Sequence, residues 1–102
     1  MDESKSLVVE YTSKSLNNAL EISSYLRNRF SQKEVDTFYQ ALSEFEKIIN
    51  HYPKLYKESK RLKIRRAVLS KVLSVYYRIT KNKIVIIAIL DNRWDESNKI
   101  QK

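Results

Sequence analysis

RLKIRRAVLSKVLSVYYRITKNKIVIIAILDNR, residues Arg61 to Arg93, is the stretch that decides the fold. It divides into three strands in succession, Leu62–Leu69, Val72–Thr80 and Lys83–Leu90. In the middle strand Leu73, Val75, Tyr77 and Ile79 share one face and Ser74, Tyr76 and Arg78 the other, because successive side chains of a strand point to opposite sides. The last strand, IVIIAIL, is apolar without alternation, which predicts a central position covered on both faces. Between these two strands Lys81-Asn82 predicts a two-residue turn with Asn82 at positive φ. Lys60, Arg61, Lys63, Arg65, Arg66, Lys71, Arg78 and Arg93 flank and interrupt the apolar block. A sheet face carrying arginines and a tyrosine suits an anionic partner.

The chain before this block reads differently. Ser6–Tyr11 (SLVVEY) predicts a short strand. Thr12 or Ser13 is placed to cap a helix running to about Phe30, with Leu16, Ala19, Ile22, Leu26 and Phe30 recurring at three- and four-residue steps. Ser31 and Glu34 have the spacing of a capping box, so a second helix begins about Gln32. Its seam is Val35, Phe38, Leu42, Phe45, Ile49 and Tyr52, and Pro53 ends it, since the residue before a proline avoids the α region. The short connection folds the two helices into a hairpin. The order β-α-α-β-β-β predicts an α+β fold, a helical hairpin packed on one face of a mostly antiparallel four-stranded sheet. With 102 residues the chain is expected to be one domain, its core at about residues 6–94 between polar tails at 1–5 and 95–102.

Composition excludes several classes. There is no cysteine, hence no disulfide or thiolate chemistry, and no glycine, hence no glycine-rich phosphate loop or dinucleotide fingerprint. No apolar run reaches the roughly 20 residues a membrane span needs, and MDESKSLVVEYTSKS has no signal-peptide core. A cytoplasmic protein without a membrane partner is the expectation. The net charge of +8 is segregated: residues 1–50 hold 6 Lys/Arg against 8 Asp/Glu, and residues 51–102 hold 14 against 4. Such segregation favours nucleic acid or an acidic protein segment as partner. His51, the sole histidine, stands at the end of the second helix, where an imidazolium suits the helix dipole and no metal site is implied. Asp91, Asp95 and Glu96 have oxygen ligands suited to Mg²⁺, but acids at this spacing are ordinary in a polar tail, and no metal or cofactor is expected.

The ordered series VVEYT, a long helical hairpin, HYPKLYKES, KIRRAVL, SVYYRI, KIVIIAIL and DNR resembles the RelE/ParE superfamily of type II toxin–antitoxin toxins. The likeness spans about Leu7 to Asp95 and is nearest to the ParE-like, plasmid-stabilisation branch. It implies a small cytoplasmic toxin held in a hetero-oligomer by a cognate antitoxin. The ParE-like likeness implies poisoning of DNA gyrase, whereas a RelE-like one implies cleavage of mRNA on the ribosome without metal. A third possibility is a non-toxic relative that keeps the fold and binds nucleic acid.

Under the RelE-like reading the resemblance makes Lys63, Arg65 and Arg93 the catalytic candidates. Ser74 stands where a further arginine is expected, with Arg78 displaced along the same face, and the tail DESNKIQK lacks a tyrosine. Arg61, Arg66, Lys71, Tyr76, Arg78 and Trp94 are the candidates for contacting a target or nucleic acid. Each has an ordinary alternative. The basic cluster would equally form a solvated strand face or pair with Glu44 or Glu46. Tyr76 would serve to cover the sheet, Arg93 to pair with Asp91 or Asp95, and Trp94 to cap the core edge.

Overall fold

The structure, a computed structural model, describes residues 7–95. Its elements are β1 (Val8–Tyr11), α1 (Ser13–Arg29), α2 (Gln32–His51), β2 (Arg65–Val68), β3 (Leu73–Ile79) and β4 (Lys83–Asp91). The sheet has the order β1-β4-β3-β2, with β1 parallel to β4 and both other pairs antiparallel. Both helices lie on one face, as the apolar periodicity predicts. Their buried residues, among them Ile22, Leu26, Phe38, Leu42, Phe45 and Ile49, share one core with Val75, Tyr77, Ile84, Ile86 and Ile89 of the sheet.

Helix α1 starts as expected: Thr12 Oγ1 accepts from the Ser15 N–H at 3.1 Å, satisfying one of the orphan donors of a first turn. Its buried stripe, however, is Ser15, Ala19, Ile22, Ser23 and Leu26, while Leu16 and Phe30 are each 51% exposed. The small residues bring the helix close to β4 and turn the two larger side chains outward. At the start of α2 the capping box does not form. Ser31 makes no side-chain cap bond, and the Glu34 carboxylate reaches Arg93 instead of turning back to Ser31. The α2 seam is otherwise buried from Val35 to Ile49, but Tyr52 lies beyond the helix end and is exposed.

β4 is central, yet it is not covered on both faces. The register passes from Tyr76 opposite Ala88 to Tyr77 opposite Ile86, so Ile87 is an extra residue with no partner on β3. A bulge of this kind changes which alternate residues face inward. Ile84 and Ile86 are buried before it, and Ile89 and Asp91 after it. The unbroken apolar run therefore reflects a switch of face. Val85, Ile87, Ala88 and Leu90 are half-buried. Side chains from the start of α1 occupy the hydrogen-bonding groups of the bulge. The Ile87 carbonyl accepts from Thr12 Oγ1 at 3.0 Å, and the Ile89 N–H donates to Asn18 Oδ1 at 3.0 Å.

Two turns depart from expectation. Asn82 does not take positive φ; the hairpin closes with the Thr80 N–H donating to the Lys83 carbonyl at 2.8 Å. Lys63 has φ 59° instead, and it is the sole described residue in the left-handed region. Residues 62–64 accordingly belong to a turn, so β2 begins three residues after the predicted Leu62, at Arg65. The expected tails lie almost wholly outside the described residues.

Candidate functional site

The basic half of the chain is organised by a hairpin that precedes β2. Glu58 bridges Arg65 in antiparallel fashion, and the Ser59 N–H donates to the Ile64 carbonyl at 2.9 Å. The four residues between, Lys60-Arg61-Leu62-Lys63, form the tip. It closes by the Lys63 N–H donating to the Ser59 carbonyl at 2.8 Å, with the Leu62 N–H bonded to Ser59 Oγ at 3.2 Å. A turn of this length needs one left-handed residue, a position glycine fills most easily. With no glycine in the chain, Lys63 takes it at a cost of about 1–2 kcal/mol. Lys60, Arg61 and Lys63 are all exposed, and none is in an ion pair among the described residues.

Arg66 and Arg78 continue this charge onto the open face. Arg66 lies opposite Tyr76 across β2 and β3, its guanidinium 5.9 Å above the ring, and its Nη2 reaches Ser74 Oγ at 3.4 Å. Ser74 is buried beneath it, a small hydroxyl at the position where the family likeness leads one to expect an arginine. Arg78, two residues beyond Tyr76, is exposed. Nearby, Lys83 is neutralised by Glu10 at 3.2 Å. An open depression of about 440 Å³ lies beside the hairpin, lined by Lys57, Glu58, Ser59, Lys60, Ile64 and Arg66.

Arg65 and Arg93, two of the three catalytic candidates, are engaged elsewhere. Arg65 Nη1 donates to the Tyr56 carbonyl at 2.6 Å and pins the connection from α2. That connection is also held by the Tyr77 hydroxyl, which donates to the Pro53 carbonyl at 2.7 Å; burial pushes the Tyr77 phenol up and Arg65 partly offsets this. Phe45, Tyr56 and Tyr77 pack together here with ring centroids 5.7–6.5 Å apart. Glu44 and Glu46 take no basic partner from the hairpin: Glu44 accepts from Gln40, and Glu46 from the Tyr11 hydroxyl. Burial first, and Glu46 second, push the Tyr11 phenol well above its ordinary value.

Arg93 closes the other end of the sheet. Its Nε and Nη2 donate to the two oxygens of Asp91 at 3.2 and 2.9 Å, and its Nη1 reaches Glu34 at 3.2 Å. The guanidinium also lies 5.3 Å over the Phe30 ring. Asp91 is fully buried and accepts in addition from the backbone N–H groups of Arg93 and Trp94. The Asp91 hydrogen bonds are the chief cause that pushes the Arg93 guanidinium above its already high ordinary value. Trp94 is half-buried against the core edge. Asp91, considered above as an Mg²⁺ ligand, thus has both oxygens committed to arginine.

The three catalytic candidates do not converge. Arg65 is opposite Tyr77 and Asp91 is opposite Leu73, at the two ends of β3. Strand geometry puts these positions roughly 16 Å apart across two strand spacings. Lys71, in the turn after β2, belongs to the Arg93 end, where Asn92 bonds the carbonyls of Lys71 and Val72. Arg61, Lys63, Arg66 and Arg78 gather at the opposite end, joined by Lys57 and Lys60. Lys60 belongs to the basic residues that flank the block in sequence, but Lys57 does not stand out there, because only the hairpin brings it beside Arg66.

No protein-family profile matches the chain, and no curated protein matches it in sequence. Solved structures do. One chain of the chromosomal ParDE toxin–antitoxin system from P. aeruginosa superposes with a TM-score of 0.71 at 16% identity, covering 86% of this chain and 98% of that one. The conserved hypothetical protein HP0894 from Helicobacter pylori gives a TM-score of 0.54 at 10% identity, covering 85% and 96% respectively. At such identities the likeness is one of architecture. The chain carries the RelE/ParE-like α+β fold.

Proposed function

We propose that this chain is the toxin of a type II toxin–antitoxin pair, ParE-like in action. In this reading it disables DNA gyrase by contact rather than turnover, in the cytoplasm, and a cognate antitoxin neutralises it in a hetero-oligomer. The observation that carries the choice against ribonuclease action is the separation of Arg65 from Arg93, each held by its own partners. Phosphate cleavage by arginines requires them to meet at one developing charge. Ser74, buried where a further arginine is expected, points the same way. The surface for the gyrase target is then the open face and its flanks: Arg61, Arg66, Lys71, Tyr76, Arg78 and the exposed edge of Trp94. For the antitoxin, the helical hairpin offers a groove of about 330 Å³ bordered by Tyr11, Leu16, Tyr39 and Glu46. Leu16, Leu20 and Tyr39 are exposed around it, a surface that suits the apolar stripe of an amphipathic helix.

The test is induced expression of the chain without a partner, with mRNA integrity and DNA topology measured in the same cells. Growth arrest with intact mRNA and gyrase-dependent DNA breaks is expected. Codon-positioned mRNA cuts that disappear in Lys63→Ala would establish a RelE-like endoribonuclease instead. Absence of arrest would leave a non-toxic nucleic-acid-binding relative.

A further inference from the structure

The groove on the helical hairpin holds a negative charge that the fold leaves unanswered. Its walls are Leu16 and Ala19 of α1 and Tyr39, Leu42, Ser43 and Glu46 of α2, together with Tyr11 of β1. Glu46 is the only carboxylate among these residues, and none of them is a cation. It is half-buried, and its polar partner among the described residues is neutral, the Tyr11 hydroxyl. None of the ion pairs among the described residues includes it. Taking a carboxylate out of water is costly unless a cation answers it. A tie from β1 to α2 would be served as well by a glutamine, which offers Tyr11 an acceptor without that cost. The charge also borders an apolar surface, with Leu16 51% exposed, Leu20 63% and Tyr39 41%.

We infer that the groove receives an amphipathic helix of the partner that carries an arginine or lysine one turn from its central apolar side chain, the cation pairing with Glu46. The inference rests on the reading of the hairpin as the antitoxin-facing surface and names the chemistry by which that surface selects its partner. Both long walls are helices, whose interior backbone groups bond within the helix, so an extended segment finds no ladder to join. The wall residues recur at three- and four-residue steps, and the small Ala19 and Ser43 among them let the ridge of a third helix settle. A cation on that helix keeps its aliphatic stem on the apolar wall while its head meets the carboxylate. A second copy of this chain does not fit. A two-fold contact through the groove sets one hollow against another and adds a second carboxylate without a cation.

The experiment is fluorescence anisotropy with labelled, end-blocked peptides of about 16 residues, roughly four helical turns, titrated with the full chain. All share a leucine stripe at i, i+4, i+7 and i+11. One pair carries arginine a turn before or a turn after the second leucine, and matched pairs carry glutamine or glutamate there. The better arginine peptide is expected to bind roughly tenfold more tightly than its glutamine match, and the glutamate peptide more weakly than either. The net charge of +8 opposes an arginine peptide, so net charge cannot produce this order. In the parent the preference should shrink as salt rises from about 50 to 500 mM. In Glu46→Gln, which keeps an acceptor for Tyr11, it should fall to about twofold or less. In Tyr39→Ala every peptide should weaken while the preference remains; circular dichroism confirms that both variants are folded. No binding of any peptide, equal affinity for all three kinds, a preference that survives Glu46→Gln or salt, or no effect of Tyr39→Ala would each overturn the proposal. So would a dimer in sedimentation equilibrium that the peptide displaces, which would make a second copy the occupant. Gyrase-dependent arrest in cells without the peptide preference removes this partner chemistry alone. The preference without arrest removes the toxin reading instead.

Discussion

Replacing Arg93 separates a catalytic role from an architectural one. In Arg93→Met the apolar stem remains but the Asp91 carboxylate, fully buried, keeps only the two backbone N–H groups of residues 93 and 94. Removing one partner of a buried pair typically costs about 3–5 kcal/mol. The Arg93 side chain is 29% exposed, so water reaches part of the pair and the lower end applies. The Glu34 contact adds little, as that carboxylate is 40% exposed. Loss of the guanidinium over Phe30 adds about 0.5 kcal/mol. The sum is about 3.5 kcal/mol, a drop in Tm of roughly 14–28 °C for a chain of this size. Thermal unfolding followed by circular dichroism measures it. A double-mutant cycle with Asp91→Asn isolates the pair and is expected to give a coupling of about 2 kcal/mol, since residues in direct contact fail additivity. If Arg93→Met melts within a few degrees of the parent, or the coupling is near zero, the architectural assignment fails. A stable Arg93→Met chain that had lost activity would mark the guanidinium as catalytic.

Three further outcomes follow from the same geometry. Asn18→Ala removes the acceptor of the Ile89 N–H at the β4 bulge and should cost about 1–2 kcal/mol in urea unfolding, with Asn18→Asp retaining most of it; equal losses would refute the bond. Lys63→Asn places a residue tolerant of the left-handed region at the hairpin tip and should raise stability by about 0.5 kcal/mol, a gain that vanishes if the tip is unstrained. For Tyr11 the sign is set by its raised pKa: the folded state favours the neutral phenol, so its contribution is full below the unfolded value near 10 and is lost as pH rises beyond it. Denaturant unfolding of the parent and Tyr11→Phe at about pH 9 and 11 should show the parent losing more stability, and parallel behaviour would exclude the buried Tyr11 phenol as the cause.

Much of the architecture is legible in the residues themselves. Apolar periodicity places both helices, Pro53 ends the second, and the strand-forming block from Leu62 to Leu90 gives three strands in order, the first starting later in the structure, at Arg65. These are local properties, set by steps of two or three to four residues and by the restricted backbone around proline. The Thr12 cap belongs with them, because a cap acts within one helical turn. Even the charge segregation that directs attention to the second half survives unchanged, since it is a sum over the sequence.

What only the tertiary structure decides is where long-range partners compete with local ones. Ser31 and Glu34 have the spacing of a capping box, but a guanidinium 59 residues away offers Glu34 a charged partner and takes it. The IVIIAIL run looks doubly covered because sequence carries no sign of the extra residue at Ile87, which exists only in the pairing with β3. Lys63, Arg65 and Arg93 appear as one catalytic set, yet β3 holds them at opposite ends, a distance that no spacing in the chain encodes. The left-handed turn falls on Lys63 rather than Asn82 for a related reason. Hairpin closure around Ser59 and Ile64 fixes the backbone there, and side-chain preference yields to the geometry of closure.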